Sequence, residues 1–258
     1  MEKERLPPML ERVKRAGVNP ELLHSKTVCV FGVGGLGAIV AEMLARIGIG
    51  RIIIVDRDIV GPENLNRLGY DVEDVGKPKV EALAKKLSKL ARVMNDFSPT
   101  IEAYYADVIA WEKLPEIIEK CDLIFTCFDN IEARLEINYW AVKLRKPLID
   151  GGTSTDGLGG RIITVIPYDT PCLGCYFGSG TMLKLEEGEN ISGSCDASIP
   201  TTMSIVAALQ VDSGLKLLHE KKVAPRIIIS LREDEMIVFQ DYNVKRRRDC
   251  EYCGGKEP

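Results

Sequence analysis

A glycine-rich turn follows a short apolar run at 27–31 and is the first candidate for a binding site. The turn matches the pattern G-x-G-x-x-G, and its glycines are Gly32, Gly34, Gly35 and Gly37. A helix is predicted to follow at 36–47. Glycines let backbone N–H groups approach phosphate oxygens at a helix N-terminus. The turn therefore predicts a nucleotide-phosphate site, with a ligand-free glycine turn as the alternative.

A carboxylate and then a set of amides and cations follow the glycine turn. Asp56 ends the next predicted strand, 51–55, where an acidic group can bind ribose hydroxyls, as in NAD and FAD sites. The further polar residues predicted around the same crevice are Asp58, Asn64, Arg67, Lys79, Asp129 and Asn130. Cationic groups suit a triphosphate better than a pyrophosphate bridge. Asp129, predicted to end the fourth strand, is placed to hold Mg²⁺. The set favours MgATP over a dinucleotide.

Two C-x-x-C pairs predict a metal site. They are Cys172 with Cys175 and Cys250 with Cys253. Two such knuckles suit a tetrahedral Zn²⁺ site, and four protein ligands leave no open position, so the predicted zinc is structural. Four reduced thiols or a redox pair are the alternatives.

A lone cysteine in a polar segment is the candidate nucleophile. Cys195 lies in the segment 178–196, predicted to be a mobile loop, just before a helix predicted to begin near Pro200. Proximity to a helix N-terminus favours the thiolate, which is the attacking form. The other unpaired cysteines are Cys29, Cys121 and Cys127. The first and last fall in predicted strands and are interpreted as packing residues, and the second is ambiguous. A structural or merely exposed Cys195 is the alternative.

Alternating strands and helices position these groups. Predicted strands are 27–31, 51–55, 101–105, 122–127 and 147–150, and predicted helices are 36–47, 79–95, 112–120 and 133–144. This alternation predicts a Rossmann-like, doubly wound α/β fold with a mostly parallel sheet. Later strands at 161–166, 226–231 and 235–240 lack intervening crossover helices, so antiparallel pairing is predicted, with one long helix at 200–219. A single domain over residues 1–258 is the simplest organisation.

Composition limits the classes of partner. The chain has 258 residues, 34 basic and 38 acidic, and a net charge of -4 gives no reason to expect nucleic acid as the main partner. No apolar run approaches the ~20 residues of a membrane span, and the charged N-terminus lacks the apolar region of a signal peptide. We therefore expect a cytoplasmic protein without nucleic acid or membrane partners.

The motif set resembles the activating enzymes of ubiquitin-like proteins and the related bacterial adenylyltransferases of molybdopterin and thiamine synthesis. The resemblance spans about residues 10 to 253. Within this group the chain most resembles the compact, homodimeric members that act on the ubiquitin-fold modifier. The matching segments are 32–37, Asp56-x-Asp58, Asn64-x-x-Arg67, Lys79, Asp129-Asn130 and 195–203.

The resemblance implies a two-step reaction. The C-terminal carboxylate of a ubiquitin-like protein ending in Gly-Gly attacks the α-phosphate of MgATP, and an enzyme cysteine, here Cys195, then takes the acyl group as a thioester. The implied roles are Gly35 in the phosphate loop, Asp56 on the ribose, Asn64, Arg67 and Lys79 on the phosphates, and Asp129 on Mg²⁺. The candidate catalytic residues are Cys195, Arg67, Lys79 and Asp129.

The resemblance also implies partners. It predicts zinc at the four paired cysteines, a homodimer, and a conjugating enzyme as a further partner. Some members of the family use an arginine from the partner subunit; Arg15 matches that position, with Arg12 nearby.

Three other functions remain as alternatives. An adenylyltransferase for a sulfur-carrier protein would form no stable thioester, and Cys195 with Thr201-Thr202-Met203 favours the thioester-forming activity over it. An NAD-dependent oxidoreductase is disfavoured by Arg67, Lys79 and Asp129. A non-catalytic adaptor is disfavoured because the ATP-site residues are intact.

Overall fold

An eight-stranded sheet organises the computed structural model, which describes residues 6–178, 199–232 and 235–255. The strands are β1 Thr27–Phe31, β2 Arg51–Asp56, β3 Thr100–Tyr105, β4 Leu123–Thr126, β5 Leu148–Thr153, β6 Gly159–Val165, β7 Arg226–Arg232 and β8 Glu235–Asp241. Their order is β3-β2-β1-β4-β5-β6-β7-β8. Pairing is parallel from β3 to β5 and antiparallel from β5 to β8. The predicted doubly wound sheet with an antiparallel extension is confirmed.

Helices cover both faces of the sheet. They are α1 Pro8–Arg15, α2 Pro20–His24, α3 Gly35–Ile47, α4 Lys79–Ser88, α5 Ala91–Met94, α6 Leu114–Glu119, α7 Ile131–Lys143, α8 Leu173–Phe177 and α9 Pro200–Leu218. Short 3₁₀ turns occur at Pro62–Asn66, Val72–Asp74 and Asn95–Phe97. The helices α3, α4 and α9 bury apolar side chains on one face, and α6, α7 and α8 do so on the other. None of the described helices is long and apolar enough to cross a bilayer.

The central strand β1 shows why the sheet is buried on both faces. Val28 and Val30 pack on the side of α3 and α9, whereas Cys29 and Phe31 pack on the side of α6 and α7. All four side chains are fully buried. Because successive side chains point to opposite faces, an unbroken apolar run is what a strand covered on both faces requires.

The helix predicted at 79–95 is wrong in its extent. It is divided into α4 and α5, because the N–H groups of Lys89 and Leu90 bond to carbonyls three residues back. The Ser88 hydroxyl donates to the Ala84 carbonyl at 2.8 Å, a local bond of the kind that bends helices.

The strand predicted at 147–150 continues further than expected, through Gly151 and Gly152 to Thr153. Its extension pairs with β6, with Gly152 opposite Arg161 and Thr153 opposite Gly160. Consecutive glycines weaken a strand when read locally. Here the neighbouring strand supplies the pairing, so the extension is a tertiary effect.

Candidate active site

A cavity of about 710 Å³ lies at the carboxyl ends of the parallel strands. Ten of the residues predicted to bind nucleotide line it: Gly32, Gly34, Gly35, Asp56, Asp58, Asn64, Arg67, Lys79, Asp129 and Asn130. The eleventh, Gly37, is not among the lining residues. Gly152 and Thr153 of β5 and Arg161 of β6, which come later in the sequence, form a further part of the wall.

The glycine loop brings β1 and α3 into direct contact. Gly32 has a φ of +79°, a left-handed conformation that favours glycine. A Cβ at Gly37 would lie 1.8 Å from the Gly32 carbonyl oxygen, so only glycine lets α3 start this close to the strand. Gly37 is thus a packing residue of the loop, whereas Gly32, Gly34 and Gly35 face the cavity.

Two buried side chains hold the glycine loop in place. Asp56 accepts from the Val33 N–H at 2.7 Å and, through its other oxygen, from the Asp58 N–H at 2.8 Å. The Tyr70 hydroxyl donates to the Val33 carbonyl at 2.5 Å. Burial raises the pKa of Asp56, and the nearby Lys79 cation opposes that shift. The sequence interpretation missed Tyr70, because a hydroxyl that bonds a backbone carbonyl leaves no motif.

Lys79 is buried at the start of α4, and its ammonium points to a carboxylate. Its Nζ lies 2.8 Å from Asp58 Oδ2, and its backbone N–H donates to the Asp58 carbonyl at 2.9 Å. An ammonium carries three donors. Lys79 can therefore keep Asp58 and still donate to an anion in the cavity.

Arg67 crosses the glycine loop. A Cβ at Gly35 would lie 2.2 Å from Arg67 Cδ, so the missing side chain is what admits the arginine. Arg67 Nε donates to Asn66 Oδ1 at 3.0 Å. Nearby, the Gly61 N–H donates to Asn64 Oδ1 at 3.0 Å, which fixes the 3₁₀ turn that presents Asn64 to the cavity.

The strand that was predicted to end at Asp129 ends earlier, so Asp129 and Asn130 both lie beyond it. β4 ends at Thr126, and Asp129 is exposed on the connection to α7. Asn130 Oδ1 accepts from the Ala133 N–H at 2.8 Å, so Asn130 is the N-cap of α7. The cap fixes the start of the helix and keeps the adjacent Asp129 at the cavity wall.

A buried ion pair that the sequence interpretation missed supports this connection. Arg134 of α7 pairs with Asp150 of β5 and donates to the Phe128 carbonyl. Thr126 Oγ1 donates to Asp150 Oδ1 at 2.8 Å. The signal in the sequence was Asp150 directly after the apolar run 147–149, since buried charges are normally paired.

The four paired cysteines converge, as predicted. Their Sγ atoms all lie within 4.8 Å of one another, with 3.6 Å between Cys172 and Cys250 and 3.4 Å between Cys175 and Cys253. A tetrahedron with Zn–S bonds of about 2.3 Å has edges of about 3.8 Å. The donor set and its spacing therefore fit Zn²⁺.

The unpaired cysteines that the structure describes differ in their surroundings. Cys29 and Cys121 are buried in the core, and the Cys121 thiol donates to the Ile117 carbonyl at 3.2 Å. Cys127, interpreted from sequence as a packing residue, lies in the cavity wall. Burial raises its pKa to about 12. Cys195 lies outside the described residues.

The two N-terminal arginines lie away from the cavity of their own chain. Arg12 and Arg15 are exposed on α1 and are not among the lining residues. Leu10 of α1 packs beside Gly48, at the end of α3 opposite to the glycine loop.

Comparison with known proteins agrees with this architecture. The model of the ThiF family matches residues 9–252. The chain belongs to the ThiF family.

Several curated relatives of this ThiF-family chain share one name. This chain is 36% identical over 224 residues to the ubiquitin-like modifier-activating enzyme 5 of Bombyx mori, and the match covers 82% of this chain and 56% of the relative. For the enzyme of the same name from Arabidopsis thaliana, identity is 34% over 233 residues, covering 84% and 53%. The chain thus spans about half the length of the curated relatives it matches.

Solved structures share the fold of this ThiF-family chain. E. coli MccB with ATP superposes with a TM-score of 0.72 at 24% identity, covering 91% of this chain and 68% of that one. PaaA superposes with a TM-score of 0.69 at 22% identity, covering 93% and 85%.

Proposed function

We propose that this chain activates a ubiquitin-like protein by adenylating its C-terminal glycine carboxylate with ATP. The observation that carries the proposal is the grouping of ten residues, assigned to nucleotide binding from sequence, around one cavity. Membership of the ThiF family and the names of the curated relatives support it.

The cavity residues have complementary roles in this proposal. The glycine loop and the first turn of α3 offer backbone N–H groups to phosphates. Asp56 binds the ribose, since each of its oxygens has a lone pair beyond the bond to Val33 or Asp58. Asn64, Arg67 and Lys79 contact the phosphates, and the two cations stabilise charge that develops on the transferring phosphoryl group. Asp58 holds the Lys79 ammonium toward the cavity.

A divalent cation belongs to the same proposal. Asp129 is exposed in the cavity wall and offers carboxylate oxygens, the ligands that Mg²⁺ prefers. Bound there, the ion would neutralise phosphate charge.

The first step is a substitution at phosphorus. A carboxylate oxygen of the substrate's terminal glycine attacks the α-phosphorus, the bond to the bridging oxygen breaks, and pyrophosphate leaves. The acyl-adenylate is the product of this step.

Cys195 is our proposed acceptor for the second step. Its thiolate attacks the acyl carbon, the thioester forms, and AMP leaves. Burial raises the pKa of the Cys127 thiol to about 12, so the cysteine in the cavity wall is a poor nucleophile at neutral pH. Cys195 stands five residues before the start of α9 at Pro200, and a helix N-terminus favours a thiolate.

One experiment separates the candidate functions. The protein is incubated with MgATP, labelled pyrophosphate and purified ubiquitin-like or sulfur-carrier proteins, and the products are run on gels with and without thiol reductant. We expect carrier-dependent exchange and a reductant-sensitive adduct that is absent from Cys195→Ala. Exchange without an adduct would instead favour the sulfur-carrier adenylyltransferase. No exchange with any carrier would overturn the proposal.

We also propose Zn²⁺ as the occupant of the four-cysteine cluster. The convergence of four thiol sulfurs at the spacing of a Zn–S₄ tetrahedron supports this proposal. Four thiolates would fill the tetrahedral shell, so the ion would be structural and would join α8 to the segment 250–253.

The proposed assembly is a homodimer that delivers the activated protein to a conjugating enzyme. In such a dimer Arg12 or Arg15, which do not line the cavity of their own chain, would be available to the partner's cavity. Sedimentation equilibrium tests the dimer. Mixing Arg15→Ala with Lys79→Ala then tests the arginine, because activity recovered by the mixture requires a site built from both chains.

A further inference from the structure

Two of the positive side chains that line the cavity have no ion-pair partner among the described residues. Its basic lining residues are Arg57, Lys79, Arg67, Arg134 and Arg161. Arg57 pairs with Asp107 at 2.6 Å, Lys79 pairs with Asp58, and Arg134 pairs with Asp150. Within the part of the chain that the structure describes, neither Arg67 nor Arg161 has a carboxylate within ion-pair distance. Arg67 crosses the glycine loop, whereas Arg161 lies on β6, at the part of the cavity wall formed by β5 and β6.

Arg161 stands at the β5–β6 end of the cavity. It lies opposite Gly152 in the strand register, and a Cβ at Gly152 would lie 3.1 Å from Arg134 Nη2. Two guanidinium groups therefore flank one glycine. Asp150 is the buried carboxylate whose charge acts on Arg161, and its Oδ1 already accepts from Arg134 and Thr126. Among the described residues, these two guanidinium groups and one carboxylate give this end of the cavity a net positive charge.

The Arg161 guanidinium lies against an aromatic ring. It lies over the Phe177 ring at 5.2 Å. Burial lowers the pKa of Arg161, and the charge of Asp150 opposes that shift. No described residue accepts a hydrogen bond from this guanidinium. Stacking occupies the face of the group and leaves its fork of N–H donors, a shape that matches a carboxylate.

The strand position opposite Arg161 carries no side chain. Gly152 of β5 pairs with Arg161, whereas the missing side chains of Gly151 and Gly160 admit Gln210 and Val206 of α9 and belong to the packed core. No side chain at Gly152 obstructs the approach between the two arginines. The phosphates already have the glycine loop, Arg67 and Lys79 at the opposite end.

We propose that Arg161 binds the terminal carboxylate of the protein substrate, holding one oxygen while the other attacks the α-phosphorus. The assignment rests on the proposed function. It makes Arg161 a substrate-binding residue that recognises a free carboxylate at the end of a glycine-terminated tail.

The first test separates carrier binding from nucleotide binding. In Arg161→Gln we expect the KM for the carrier in pyrophosphate exchange to rise about 10- to 100-fold, the loss expected for one charge-assisted hydrogen-bonded pair. The affinity for ATP stays within about twofold, and Arg161→Lys recovers part of the loss. Arg232→Ala is the matched control, because Arg232 pairs with Asp156 in solvent and does not line the cavity. An unchanged carrier KM, or an equal loss of ATP affinity, would overturn the assignment.

The second test does not depend on catalysis. Binding of a synthetic ten-residue peptide ending in Gly-Gly is compared with that of its C-terminal amide, in the presence of a non-hydrolysable ATP analogue. Wild type should prefer the free acid about 10-fold or more, and Arg161→Gln should lose this preference. Equal binding of acid and amide by wild type would overturn the carboxylate site. If wild type prefers the free acid in this peptide assay but shows no pyrophosphate exchange with any carrier, the proposed function is overturned and the carboxylate site at Arg161 stands.

Discussion

At the residue scale, Gly35 is where the glycine loop contacts the Arg67 side chain. A Cβ there would lie 2.2 Å from Arg67 Cδ and 2.6 Å from Met203 Sδ, so Gly35→Ala must displace Arg67 from the loop. We expect the affinity for ATP, measured by calorimetry, to fall about 10- to 100-fold, as for the loss of one charge-assisted hydrogen bond.

Gly34→Ala is the matched comparison for Gly35→Ala. A Cβ at Gly34 meets nothing within 4 Å, and the residue has a φ of -65° that alanine adopts. Its loss of affinity should be clearly smaller. Equal losses in the two variants would mean that glycine flexibility, and not room for Arg67, is what the loop requires.

Thiol reactivity provides a second prediction at the residue scale. With a pKa of about 12, only about one part in 10⁴ of Cys127 is thiolate at pH 8, and the fraction rises about tenfold per pH unit up to that value. Alkylation of the native protein, mapped by mass spectrometry, should therefore label Cys195 near pH 8 and Cys127 only at much higher pH. Labelling of Cys127 at a rate similar to that of Cys195 near neutral pH would contradict the prediction.

At the scale of elements, Arg134 ties α7 to β5 and to the connection after β4. Arg134→Met leaves Asp150 buried without its cation, a change that typically costs about 3–5 kcal/mol. We expect that loss in the free energy of unfolding measured with urea. The double variant Arg134→Met, Asp150→Asn should lose less, because no buried charge is left unpaired.

The exposed Arg92 on α5 is the control for the Arg134 variants. Arg92→Met should change the free energy of unfolding by less than about 0.5 kcal/mol. A loss in Arg134→Met no greater than this would show that the ion pair does not stabilise the connection that carries Asp129.

At the scale of the whole molecule, the four-cysteine cluster joins α8 to the segment after β8. Metal analysis should find one zinc per chain in wild type and none in Cys250→Ala. The melting temperature of the variant should also be lower, because structural zinc contributes directly to folding. Cys121→Ala is the control for zinc content, because that thiol is buried away from the cluster and donates to the Ile117 carbonyl. Zinc retained in Cys250→Ala, or absent from wild type, would contradict the assignment.

Local patterns in the sequence were enough to predict the sheet and most of the cavity. The run 27–31, the glycine motif and the acid at Asp56 are short-range signals, because β1, the turn and α3 are consecutive in the chain. The polar residues that follow parallel strands meet at one edge of the sheet, so chain order predicted that Asp58, Lys79 and Asp129 would share a crevice. The spacing of the cysteine pairs likewise predicted the four-thiol cluster.

The side chains that hold these groups, and those that have no ion-pair partner among the described residues, follow from contacts between distant parts of the chain. Tyr70 bonds a backbone carbonyl, Arg134 finds Asp150 across two elements, and Arg161 faces the cavity because antiparallel pairing sets it opposite Gly152. Such contacts depend on strand register and on the packing of elements distant in sequence. Short-range patterns in the sequence therefore specified the nucleotide-type crevice and the thiol cluster, whereas the packing of β5, β6 and α7 set the charge at the β5–β6 end of that crevice.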